Sequence, residues 1–353
     1  MLAFRPRAAV FAVLGSALLA VACGDDASTA AAHRPGGSLD GTGSGASVTP
    51  GAGGSVSPGA GGAISTGAGG TTSGSGGETS AGTGGWQELT FTSDTFTVAA
   101  GDEVYRAQNF ANPIGHDVDI IESESTMAKG SHHMFAFHGA SYNQDGAIGD
   151  STGIEFAPYI HTAQTPEQLT RYPAGIGRYL PGADGIRLQV HYINTSDQDI
   201  QASVSLRIRY VNTDQVTFHA AEIFLNDVGV RVPPGTSTAT TTVSMPYDVK
   251  LLGAGSHMHR RAVGFDSTTN DGREIYTTTD WNEPVAAAFD PTIDIAQGGS
   301  ITWSCTYDNQ TGQTLTFGES AATNEMCIFS GVYYPAPNGA GITRQCLGRG
   351  SCF

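Results

Sequence analysis

The chain has 353 residues and carries 17 Lys and Arg against 33 Asp and Glu, a net charge of −16. That acidity argues against nucleic acid and against anionic membrane surfaces as partners, because both attract cationic faces. Small or cationic substrates stay open.

Residues 1–22 read as a signal peptide. Arg5 and Arg7 precede an apolar run over 8–21 that is too short and too rich in small residues for a comfortable membrane span. The run closes on Ala20-Val21-Ala22-Cys23, which resembles a bacterial lipobox with Cys23 as the lipidated first mature residue. An ordinary signal peptide cleaved near Ala22 is the alternative. Either reading takes the protein out of the cytoplasm, as an outer-membrane lipoprotein (cell surface or periplasm) or as a secreted protein. Membrane contact is then expected only through the lipid anchor.

Residues 23–85 are almost all Gly, Ser, Thr and Ala. Such a segment has too little apolar surface to offset its chain entropy, so it is expected to be a disordered tether. Its glycine pairs are not phosphate loops, since no strand or helix pattern flanks them.

The remainder, 86–353, is long enough for two domains. Strand signals dominate it. Ser203-Val204-Ser205-Leu206-Arg207-Ile208-Arg209-Tyr210 alternates apolar and polar residues, and Ile301-Thr302-Trp303-Ser304-Cys305-Thr306-Tyr307 does so after a Gln297-Gly298-Gly299-Ser300 turn. Long 3.6-period stretches are absent. The prediction is all-β: two tandem antiparallel β-sandwich (jelly-roll-like) domains, 86–212 and 213–353.

Histidines supply the chemistry. In Ser256-His257-Met258-His259 the two rings fall on one strand face, so both can reach one metal ion. Met326, in Asn324-Glu325-Met326-Cys327, would add a thioether if the fold brings it in. A thioether favours copper, especially Cu(I), over zinc. Three ligands leave a position for a small molecule such as O2. Without that convergence, Met326 is a core residue and the histidines are surface rings.

Earlier come Ser131-His132-His133-Met134 and Leu188-Gln189-Val190-His191-Tyr192. Adjacent residues on a regular strand face opposite ways, so His132 and His133 need a bulge or a strand end to share an ion. With His191 they would form an all-nitrogen site for copper or zinc.

These motifs, in this order and followed by Tyr333-Tyr334-Pro335, resemble the copper type II ascorbate-dependent monooxygenases, the family of peptidylglycine α-hydroxylating and dopamine β-monooxygenases. The resemblance spans roughly residues 105–335. It implies two β-sandwich domains whose coppers face each other across a solvent-filled cleft. His132, His133 and His191 would hold an electron-transfer copper. His257, His259 and Met326 would form the catalytic copper site, where O2 and a small-molecule or peptide substrate meet. Ascorbate or another one-electron donor would be the co-substrate, and a C–H bond would be hydroxylated. The family's peptide-amidating branch has an arginine and a tyrosine where this chain has Gly255 and Ser330, so a peptide C-terminus is not the expected substrate.

If Cys23 is lipidated, four cysteines remain in an oxidising compartment. The resemblance implies a Cys305–Cys327 bridge beside Met326, and Cys346 and Cys352 are expected to close a small C-terminal loop. A cysteine metal site is the rival reading, although paired Cys-x-x-Cys spacings are missing. A non-catalytic copper-binding or copper-buffering lipoprotein is the alternative function. His116, His138, His161 and His219 match no expected ligand position, with His138 a candidate to support the first site indirectly.

Overall fold

The computed structural model describes residues 80–81, 85–153, 155–348 and 351–353. The segments expected to be a signal peptide and a tether, residues 1–85 with Cys23 among them, lie almost wholly outside the described residues. Among the described residues there is no α-helix, only three short 3-10 turns between strands. The all-β expectation is met.

The alternating segments form the strands they predict. Val204–Asn212 buries Val204, Leu206, Ile208 and Tyr210 and turns its arginines outward. Ser300–Asn309 buries Ile301, Trp303, Cys305 and Tyr307. Removing each such large side chain from water stabilises the fold by about 2 kcal/mol.

Two cores result. One draws on residues from Leu89 to Tyr210, the other on residues from Ala221 to Cys346. The first lies between a five-stranded sheet and the strands Gln87–Thr92, Val118–Met127, Ile176–Leu180 and Val204–Asn212. The central strands of that five-stranded sheet are Glu103–Phe110, Gly185–Ile193 and Ser131–Gly139. The second core lies between a four-stranded sheet centred on Ser300–Asn309 and the strands Phe218–Asp227, Cys327–Tyr334, Val249–Met258 and Ala287–Ile295.

The pairing is not purely antiparallel. Ile176–Leu180 runs parallel to Phe218–Asp227, which runs parallel to Ile342–Cys346. In each case the chain passes through other strands before returning, and that length permits a same-direction partner. The first of these pairings makes one sheet run through both halves of the fold.

A third apolar cluster stitches the halves together: Phe135, Phe137 and Tyr159 pack against Phe224, Met326 and Ile328. Beside it a buried ion pair joins Arg178 to Glu222, and the same guanidinium donates to the Tyr159 carbonyl.

Candidate metal centre

Strand Ser131–Gly139 pairs with Gly185–Ile193 in steady register until His133 meets His191; the next pair is Ser131 with Tyr192. His132 is the residue left over. This is a β-bulge, the device adjacent histidines need to share one side. Their ring centroids lie 5.3 Å apart, and each is within 5.2 Å of His191.

His257 and His259 share a face at the end of Val249–Met258, with Met258 turned into the second core between them. Their rings are 5.3 Å apart. The fold then brings this pair to the first set. His257 lies 5.0 Å from His132 and 4.9 Å from His133, centroid to centroid. One group of three that could hold a metal draws on both halves: ligand nitrogens of His132, His257 and His259 all lie within 4.8 Å of one another. The five rings are at most 6% exposed, so no solvent-filled cleft separates the two histidine sets.

Hydrogen bonds decide which nitrogens are spoken for. His191 Nε2 sits 2.9 Å from Glu103 Oε1, His257 Nδ1 is 2.6 Å from Gln164 Oε1, and His259 Nδ1 is 3.2 Å from the Asn324 carbonyl. All three partners accept, so these nitrogens carry the ring protons. The opposite nitrogens, His191 Nδ1, His257 Nε2 and His259 Nε2, are buried without a partner, as are both nitrogens of His132 and His133. Buried polar atoms left unpaired cost free energy, and here every ring keeps a lone pair available. A metal ion satisfies that demand, and the residues fit one.

Burial, the leading cause, holds the rings neutral. His132, His133 and His257 are pushed well below the ordinary histidine range, His191 is lowered, and His259 is brought to about 4. Neutral imidazole is the form that ligates. Burial would raise Glu103, but hydrogen bonds from His191, the Ala321 amide and Ser320 outweigh it and hold the carboxyl at about 2.

Met326 is 1% exposed and packs in the aromatic cluster between the halves. The Cys327–Tyr334 strand pairs His257 with Ile328 and Met258 with Cys327, and Met326 lies one residue beyond the end of that ladder. The Cys305–Cys327 bridge is formed, with Cα atoms 5.8 Å apart, and so is Cys346–Cys352. Both fit maturation in an oxidising compartment and leave no cysteine metal site among them. Arg261 grips the loop before Met326: its guanidinium donates to the carbonyls of Ala321 and Ala322, and its amide to Glu325.

Three contributors escaped the sequence reading. Glu103 and Tyr105 share a face of Glu103–Phe110, where Tyr105 stacks on His191 at 3.9 Å and bonds the Glu319 carbonyl. Gln164 donates to the Ser256 carbonyl while accepting from His257. Alternation alone marks Glu103 and Tyr105 as sharing a face, without saying what it meets. His161 is a satisfied core ring between Ser123 and Ser125, and His138 pairs with Asp184 rather than supporting the cluster.

Residues 237–347 match the family model of the copper type II ascorbate-dependent monooxygenase C-terminal domain. That stretch contains His257, His259, Cys305, Met326 and Cys327. The family reading of the motifs is thus met over the second half. No curated protein sequence matches this chain. Among solved structures, PNGase F, a glycosylasparaginase from Flavobacterium meningosepticum, is similar at 9% identity and a TM-score of 0.32, covering 72% of this chain and 97% of its own. A peptide-N(4)-(N-acetyl-β-D-glucosaminyl) asparagine amidase aligns at 9% identity and a TM-score of 0.34, over 71% and 97%. At scores this low the likeness supports neither a shared fold nor a shared activity.

Proposed function

We propose that the protein is an extracytoplasmic copper-dependent monooxygenase that hydroxylates a C–H bond. The observation that carries this reading is the set of five buried, neutral histidines with unpaired nitrogens, in a chain whose second half matches the copper monooxygenase domain. Five imidazoles and the Met326 thioether make six ligands, enough for two three-coordinate coppers. His132, His133 and His191 would hold one, and His257, His259 and Met326 the other. The two sets adjoin, so electrons need not cross open solvent between them.

When bound, copper would pass two electrons from ascorbate or a similar donor to O2, so that R–H, O2, two electrons and two protons yield R–OH and water. The chain's own residues do the rest. Glu103 and Gln164 fix the tautomers of His191 and His257, so each presents a lone pair inward. Burial keeps bulk water away from the site. Tyr105 and Trp281, whose ring centroid is 5.7 Å from that of His132, wall the cluster.

Oxygen uptake by the copper-loaded protein with ascorbate tests the reading. Uptake that needs both copper and a C–H substrate supports it. Tight copper binding with no uptake across amines, peptides and aromatics would favour a copper buffer instead. Anchoring at Cys23 belongs to the same proposal and predicts that Cys23→Ser releases the protein from the membrane fraction.

A further inference from the structure

Beside the histidines the two halves line an open-mouthed cavity of about 210 Å³. Gln164, the hydrogen-bond partner of His257, forms part of its wall. So do Gly255 and Ser330, which pair across the sheet two residues before His257 and two after Ile328. Gly255, His257 and His259 share one strand face. The cavity is therefore the continuation of the histidine face, at the place where that face carries no side chain.

The glycines of the wall differ in kind. A Cβ on Gly253 would stand 2.7 Å from the Ala287 carbonyl oxygen, and one on Gly331 2.8 Å from that of Gly253. Close backbone packing excludes side chains at both. At Gly255 a Cβ would meet Ser330 Oγ at 3.5 Å and Ala286 Cβ at 3.6 Å, ordinary contacts. Packing does not demand glycine there, and its effect is to leave the cavity deep.

The wall also lacks a free charge. Arg171 is the one charged side chain lining it, and its guanidinium is largely in solvent and bonded to Glu122 at 2.7 Å. Tyr159 and Tyr172 line it too, and burial raises both phenols, so they stay neutral. An ionised ligand group would leave water without a counter-charge, which is costly.

We infer that this cavity binds an uncharged, largely apolar group, with Gly255 setting how deep it reaches towards His257. Calling that ligand the substrate rests on the monooxygenase reading above; the ligand class does not.

Calorimetric titration of the copper-loaded protein with three probes of equal length tests the inference: 4-phenylbutan-1-ol, 4-phenylbutanoate and 4-phenylbutan-1-amine. The alcohol should bind about tenfold or more tighter than either charged probe. Gly255→Ala should stay within about threefold of wild type, whereas Gly255→Leu should lose about tenfold or more at unchanged copper content. Ser330→Leu, which fills the same space from the facing strand, gives the same reading if Gly255→Leu misfolds. Equal or tighter binding of a charged probe, or wild-type binding by a folded leucine variant, overturns the inference. Product analysis with ascorbate is scored separately. The predicted binding pattern without hydroxylated product upholds the ligand class and counts against the monooxygenase reading.

Discussion

At the residue scale, a ring nitrogen that keeps its proton and donates it to a neighbour cannot also hold a metal, so the partners of the histidines matter as much as the histidines. Glu103→Gln removes the charge that orders His191 and loosens the Ser320–Ala321 loop on the other half. Copper affinity should fall about 10- to 100-fold in a chelator competition, with the strand signature of the circular dichroism spectrum intact. His133→Ala and His257→Ala should each remove about one copper per chain, counted by metal analysis. Loss of neither, or a single copper indifferent to His257→Ala, would sink the two-ion reading. Met326→Ile keeps apolar volume and removes sulfur. Cu(II) should be retained on the imidazoles and Cu(I) weakened, and the sulfur contact in X-ray absorption of the reduced protein should vanish. If reduced wild type shows no such contact, Met326 is purely a packing residue.

Elements decide how much of this could be read in advance. Alternation sufficed for Val204–Asn212 and Ser300–Asn309, because each has one face on a core and one towards solvent. His-x-His needed only the strand period. The His132–His133 pair demanded an irregularity, and the bulge supplies it, yet which residue is extra follows from the partner strand's register. Glu103, Tyr105 and Gln164 were not legible, since what places them is the packing of one half on the other. The adjoining of the two histidine sets was likewise hidden: it depends on the aromatic cluster around Phe224, whose members are scattered from Phe135 to Ile328. The Cys305–Cys327 bridge ties two strands next to Met326. Its loop spans 22 residues, and replacing both cysteines by serine should cost about 3 kcal/mol, read as a lowered thermal midpoint.

For the whole molecule, buried neutral histidines set the acid limit. In the unfolded chain a histidine gains its proton near 6.5; folded, His161 and His259 resist it down to about 4. Their folded values are depressed by burial, so their contribution is complete above pH 6.5 and is lost as pH falls from there to about 4. Each ring accounts for roughly 3 kcal/mol over that window in the copper-free protein. Thermal midpoints of copper-free protein should be flat near pH 7 and fall steeply towards pH 5. His161→Gln should flatten that fall, and an unchanged slope would show that His161 plays no part. Glu103, held at about 2, adds its own loss only below its ordinary 4.5.

The parallel contact of Ile176–Leu180 with Phe218–Asp227 also bears on how the gene can be divided. Ile176, Gly177 and Arg178 align with Phe218, His219 and Ala220, and the ion pair between Arg178 and Glu222 is buried alongside. A transcript split after residue 212 would encode one product with a bare strand edge and another with an orphaned Glu222 in an apolar setting. Neither is a self-sufficient module. Separately expressed, the two polypeptides should aggregate, whereas co-expression should recover a soluble pair that migrates together on a sizing column. Recombining such halves between relatives would therefore require exchanging both sides of this seam at once.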